Sequence, residues 1–253
     1  MPVKRITSRD NPTYRELLAL ATDGRTRRRQ RQTLLDGLHL LSAAVEAGHA
    51  PRMLVVSEAG ASPEGGLAHD ANVPCIELPD SLFRALSPVD TPTGILALLD
   101  IPAPREGQDE WVVLLEDIQD PGNLGALLRV AAGAGVNAVH LSRGCAEAWS
   151  PKCLRGGQGA HFLLSLFEDA DLLALARRRT VLAAALNAQT SLFELDLRGP
   201  AAFAFGNEGS GLSPALLEAA RPFRIPMPGR VESLNVATAA AVCLFERVRQ
   251  TLG

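Results

Sequence analysis

Ile225–Val242 reads IPMPGRVESLNVATAAAV. A Pro-Gly loop runs into an apolar, alanine-rich segment that predicts a long C-terminal helix over Leu234–Leu252. Ser233 suits a helix N-cap. Asn235, two residues on, is a poor helix former and so calls for a purpose other than propensity. Ile225–Met227 just upstream reads as a short extended piece.

Working back from this stretch, apolar strands alternate with helical patterns. Val112–Leu115, Ala138–Leu141, Val181–Ala185 and Ala202–Phe205 are strand candidates. Between them, Leu124–Ala134 is a helix opened by Pro121 and Gly122, and Asp171–Arg178 is another. Ser213 followed by Pro214 is an N-cap with proline at the first helical position. This alternation is that of an α/β domain with a largely parallel sheet, in which ligands gather beyond the strand C-terminal ends.

Two more of those strand ends carry polar clusters. Leu115–Arg129, LEDIQDPGNLGALLR, places Asn123 near a helix N-terminus, where free N–H groups favour anions, and Arg129 further along that helix. Taken alone, it is also compatible with a plain turn and a surface arginine. Phe205–Ser213, FGNEGSGLS, has three glycines that let the backbone turn tightly and approach a ligand. Glu208 in the middle of such a loop is hard to explain as packing. Several other chemistries lack their motifs: GxxxxGK[ST], a strand leading into GxGxxG, HExxH and GxSxG are all missing. The four cysteines (Cys75, Cys145, Cys153, Cys243) form no CxxC pair, so no metal site is expected.

The first hundred residues form a separate, smaller α/β unit. Leu34, Leu35, Leu38, Leu41 and Val45 fit an amphipathic helix, and Met53–Val56, Cys75–Leu78 and Ile95–Leu99 fit strands. Ile101–Glu110, with two prolines and four charges, reads as a linker. The division is thus 1–100, a linker at 101–110, and 111–253. The net charge is −3, yet residues 1–32 hold nine basic side chains against three acids, including Arg5, Arg9, Arg25, Arg27, Arg28, Arg29 and Arg31. A cationic arm on an otherwise acidic chain attracts phosphate backbones; an isolated run of this kind is equally a solvated helix face. No stretch approaches a membrane span, and no secretion-type segment is visible near the N-terminus. A cytoplasmic protein is expected.

Taken together and in order, DPGNLGALLR, FGNEGSGLS and IPMPGRVESLNVATAAAV resemble the three motifs of the SpoU (TrmH) family of RNA ribose 2′-O-methyltransferases, in the SPOUT superfamily. The resemblance runs over Val112–Glu246, and PKCLRGGQGA (Pro151–Ala160) is similar to the family's inter-motif link, with glycines in place of small alanine and serine. The stretches RDNPTYRELLAL and LLDGLHLLSAAVEAG resemble, more loosely, the L30e-type substrate-binding domain often attached to these enzymes.

The resemblance implies a trefoil-knotted C-terminal domain, a homodimer with the site completed across the interface, and S-adenosylmethionine as methyl donor. It implies Gly206, Ile225, Met227 and Leu234 as the lining of the donor pocket, and Asn123, Arg129, Glu208, Ser233 and Asn235 as the polar catalytic set. The substrate it implies is RNA, with rRNA of the 23S type favoured over tRNA. Two other readings stay open at this point. One is a non-catalytic RNA-binding protein that keeps the fold. The other is a dinucleotide-dependent oxidoreductase, which would need the glycine fingerprint that is missing.

Overall fold

A computed structural model describes residues 3–60, 73–87, 92–107 and 110–252. They fall into two compact units: the chain up to Pro102 together with Trp149–Phe162, and Ala103–Ala148 together with the chain from Leu163 onward.

The first unit begins with β1 (Lys4–Arg5), α1 (Pro12–Thr22), α2 (Gly24–Gln30), β2 (Gln32–Asp36) and α3 (Leu38–Glu46). It continues with β3 (Met53–Ser57), β4 (Cys75–Leu78), α4 (Asp80–Leu86) and β5 (Ile95–Asp100). Asn11 opens α1 by accepting from the Thr13 and Tyr14 amides, with Pro12 at the first helical position. The sheet order is β1-β4-β3-β5-β2; β1, β4 and β3 are parallel, and β5 is antiparallel to both its neighbours. Tyr14, Leu17 and Leu20 of α1 pack with Ile76, Leu78 and Phe83 in its core.

The single amphipathic helix expected from Leu34 to Val45 is a strand and a helix. Leu34 and Leu35 lie on β2, opposite Leu98 and Ala97 of β5. Gly37, at φ +94°, breaks the chain between the two elements, a conformation that favours glycine. The buried stripe of α3 is then Leu40, Leu41 and Ala44, while Leu38 and Val45 are exposed.

The chain continues through β6 (Val112–Leu115), α5 (Pro121–Gly133) and β7 (Ala138–Leu141), and then α6 (Pro151–Gly157). After α6 come β8 (Ser165–Phe167), α7 (Leu172–Ala176), β9 (Val181–Ala184), β10 (Ala202–Phe205), α8 (Pro214–Glu218), β11 (Arg221–Phe223) and α9 (Val236–Leu252). Helix α6 belongs to the first unit, so a single cut at 101–110 does not describe the division. Thr33 Oγ1 donates to Trp149 O at 2.8 Å inside that unit, and a Cβ on Gly159 would stand 2.7 Å from that of Ala43. Of the expected linker, residues 108 and 109 lie outside the described residues. Ile101 N donates to Arg31 O in the first unit, and Arg105 N to Ser165 Oγ in the second.

The second unit holds a six-stranded sheet of order β11-β9-β10-β6-β7-β8, and every neighbouring pair in it is parallel. The four inner strands β9, β10, β6 and β7 are short and almost wholly buried, as expected of strands covered on both faces. The chain moves outward from β6 through β7 to β8, then resumes on the other side of β6. The strand order therefore reverses between β6 and β10, and the crevice beyond their C-terminal ends is the place where such sheets receive ligands. The extended piece expected at Ile225–Met227 is displaced: the strand is Arg221–Phe223, paired with β9, and Ile225–Met227 follows it as irregular chain.

Candidate active site

Strands β6 and β10 run side by side, with Leu115 opposite Phe205, so the loops that leave them are neighbours by register. The loop after β6 leads into α5, which Asp120 caps by accepting from Asn123 N at 2.8 Å. That cap fixes Asn123 in the first turn, with its side chain free to face the second loop. The loop after β10 closes on itself: Asn207 and Gly211 exchange backbone hydrogen bonds, and Asn207 Oδ1 accepts from the Gly209 and Ser210 amides. Glu208 stands at the tip of this ring.

The third loop ends at α9. Its cap is Asn235, whose Oδ1 accepts from Ala237 N at 2.9 Å and Thr238 N at 3.4 Å. The N-cap reading of Ser233 is therefore corrected. Asn235 needs no helix propensity because it stands just outside the helix, where its side chain satisfies orphan amides.

The three loops meet through their side chains. Asn123 Nδ2 donates to Glu208 Oε1 at 2.9 Å, and Asn235 Nδ2 donates to Asn123 Oδ1 at 3.0 Å. Residues 85 and 112 positions away from Asn123 thus converge on one amide. Ser233 is exposed just ahead of the cap. Arg129 is not part of this cluster. Six residues along α5 place it about 9 Å further along the axis and about 240° around it, and its side chain is exposed.

The expected lining residues Gly206, Ile225, Met227 and Leu234 are all half-buried and lie on the second and third loops. Gly206 has no room for a side chain: a Cβ there would stand 2.3 Å from the Gly211 carbonyl carbon and oxygen. Ile225 and Met227 are half-buried and lie outside any strand, so sheet pairing does not use their backbone groups. Among the described residues, no group of three or more His, Cys, Asp and Glu could hold a metal ion, and no helix is long and apolar enough to cross a membrane.

The cationic arm is less uniform than its sequence. Arg27 is buried, and its Nη1 donates to Leu20 O at 2.5 Å and Ala21 O at 3.2 Å. It caps the C-terminal carbonyls of α1, which lack partners within the helix, and is removed from the set of phosphate contacts. Arg5 pairs with Glu58 and Glu77. Arg9, Arg25, Arg28, Arg29 and Arg31 are exposed, and Arg31 also donates to Pro102 O.

The sequence alone assigns no role to Glu116, Asp117 or Asn207, whose contacts bind the first loop to the second. Asn207 Nδ2 donates to Asp117 O at 2.9 Å, and Asp117 adopts φ +55°. An Asp or Asn two residues after an apolar strand is the available signal, because these side chains bond nearby backbone and, as Asp117 does, tolerate the left-handed region.

Comparison with known proteins gives the same result. The family described as SpoU rRNA Methylase matches residues 110–245, and an MRM3-like substrate binding domain matches residues 11–97. The chain is 31% identical to the 23S rRNA (guanosine(2553)-2′-O)-methyltransferase RlmP of Bacillus subtilis (strain 168), over 96% of this chain and 98% of that one. It is 34% identical to an uncharacterised tRNA/rRNA methyltransferase of Synechocystis sp., covering 98% of this chain and 94% of the other. Among solved structures, an RNA 2′-O ribose methyltransferase superposes with a TM-score of 0.84 at 34% identity, covering 98% of this chain and all of that one. The SpoU methyltransferase AviRb from Streptomyces viridochromogenes, in complex with AdoMet, superposes with a TM-score of 0.84 at 26% identity, over 96% and 99% of the two chains. The α/β architecture with its all-parallel C-terminal sheet is consistent with the trefoil knot that the resemblance implies. Three loops joined on Asn123, and these matches along almost the whole chain, place the protein in the SpoU rRNA methylase family of the SPOUT superfamily.

Proposed function

We propose that this protein transfers a methyl group from S-adenosylmethionine to a ribose 2′-hydroxyl of ribosomal RNA, with Asn123, Arg129, Glu208, Ser233 and Asn235 as its polar catalytic set. The observation that carries this is the hydrogen-bonded chain Glu208–Asn123–Asn235 at the strand-order reversal. A relic kept only for binding RNA has no need of it. The rRNA preference rests on relatives named as 23S rRNA guanosine 2′-O-methyltransferases.

Bound S-adenosylmethionine supplies a methyl already activated by a sulfonium, so the chain's task is alignment. Gly206 and the backbone around Ile225, Met227 and Leu234 hold the donor. Asn123, fixed at both ends of its amide, orients the Glu208 carboxylate toward the incoming ribose. Asn235 and Ser233 fix the third loop at the same point.

Arg129 carries a planar fork of guanidinium donors, which makes it a clamp for the neighbouring phosphate and for negative charge developing on the ribose oxygen. Its place on α5, turned away from Asn123, supports a homodimer in which Arg129 serves the site of the partner subunit. The exposed arginines of the first unit supply salt-dependent attraction to the RNA backbone.

The test is transfer of tritiated methyl to an unmodified 23S-type rRNA transcript, with the modified nucleotide mapped by its resistance to alkaline cleavage. Calorimetry with S-adenosylmethionine runs alongside. Methylation at one ribose, with donor binding, is the expected result. An inert protein that binds the transcript but no donor overturns the reading.

A further inference from the structure

The loop that carries Glu208 is anchored at both ends to the two residues that follow strand β6. At its far end, Ser213 gives two hydrogen bonds to one carboxylate: Ser213 N to Glu116 Oε2 at 2.6 Å and Ser213 Oγ to Glu116 Oε1 at 2.7 Å. At its near end, Asn207 Nδ2 donates to Asp117 O. Asp117 is itself held, with its amide donating to Ser142 Oγ at 2.9 Å and its Oδ1 accepting from that hydroxyl at 2.6 Å. The half-buried Glu116 directly follows buried Leu115, whose register with Phe205 fixes where the clamp begins.

The contact between Ser213 and Glu116 exceeds what capping α8 requires. Ser213 already caps α8 through Leu216 N, and it would do so without Glu116. A carboxylate that accepts a bidentate, charge-assisted pair from one residue is a geometric restraint. The restrained segment, Asn207–Ser213, is the one that presents Glu208 to Asn123.

We infer that Glu116 and Asn207 are positioning residues. They form a two-point clamp that holds the second loop at the height where Glu208 meets Asn123, and they act on methyl transfer through Glu208. This rests on the reading of Glu208 as a member of the catalytic set. Neither residue needs to touch the RNA or the methyl donor. The expected signature is a loss in kcat with KM for RNA preserved.

A double-mutant cycle on kcat tests it, with an unmodified 23S-type rRNA transcript and tritiated S-adenosylmethionine at steady state. Glu116→Gln should lose about tenfold in kcat with KM for RNA within about twofold, because the bidentate carboxylate is gone and binding contacts remain. In a Glu208→Ala background the same change should cost less than about twofold, since the residue it positions is absent. Ser213→Ala should reproduce the loss and Ser213→Thr, which keeps the hydroxyl, should restore it; this pair decides the matter if Glu116→Gln does not fold. An unchanged kcat in Glu116→Gln, or a full tenfold loss that persists without Glu208, overturns the clamp. Wild-type kcat in Glu208→Ala alone instead removes the catalytic reading of Glu208, and the clamp with it.

Discussion

The Asn123 side chain lies between a donor and an acceptor: its Nδ2 gives a hydrogen bond to Glu208 and its Oδ1 takes one from Asn235. The two ends of the amide cannot be exchanged without facing donor to donor and acceptor to acceptor. Asn123→Asp would set a carboxylate against Glu208, and kcat should fall about a hundredfold, as when an oriented polar group is lost from a catalytic site. Glu208→Gln in that background turns the second partner into a donor and should recover part of the loss. A double mutant no faster than Asn123→Asp alone would show that the pair does not work as a unit.

Arg129 has a different position and a different prediction. Arg129→Ala should abolish turnover while S-adenosylmethionine affinity stays within about twofold, because the guanidinium is assigned to phosphate and oxyanion and not to the donor. Mixing Arg129→Ala with an Asn123→Ala protein should regenerate activity if each site draws its arginine from the partner subunit. Failure to complement would assign both residues to one subunit's site.

Gly206→Ala probes the donor pocket. The added Cβ would meet Gly211 backbone at 2.3 Å, and backbone cannot swing aside as a side-chain tip can. The loop must move, and donor affinity should weaken about tenfold or more, equivalent to ~1.4 kcal/mol. Calorimetry with S-adenosylmethionine measures this directly; unchanged affinity would take Gly206 out of the pocket.

The arginine arm separates into exposed members and the buried Arg27. Replacing Arg25, Arg28 and Arg29 with Gln should flatten the slope of log K against log salt by about 0.7–0.9 for each phosphate that is no longer neutralised. Arg27→Gln should leave that slope unchanged and lower the melting temperature, because it uncaps α1 and leaves carbonyls short of a donor. Filter binding at several salt concentrations and a melting curve distinguish the two outcomes.

On α9, Arg249 and Gln250 hold the Glu246 carboxyl down to about 2 from its ordinary 4.5. A depressed carboxyl contributes stability above its unfolded value, and that contribution is lost as pH falls from about 4.5 to about 2. Glu246→Gln should therefore melt about 1–2 °C below the wild type at pH 6, the size expected of a helix-surface pair. The gap should close by pH 2. A gap independent of pH would mean packing and not charge.

Much of the second unit was readable along the chain. Its strands are short apolar runs, and Asp120, Ser213 and Pro214 mark helix starts that local chemistry dictates. The motif residues were equally visible, because Asn, Glu and Gly in apolar surroundings have few local reasons to be there. Leu34 and Leu35 misled because two adjacent leucines fit a helix stripe and a buried strand alike; pairing with β5 decided between them. Arg27 misled because a charge run carries no mark of which member turns inward.

By itself, the sequence determined where strands, caps and tight loops could form, since these depend on side-chain shape, backbone φ and the bonding capacity of neighbours within a few residues. Only the tertiary structure decided that Glu208 and Asn235 meet on Asn123, that Arg129 does not, and that Glu116 holds Ser213. The three contacts span 85, 97 and 112 positions and follow from the sheet's strand order, which is set by global packing and leaves no trace at any one position.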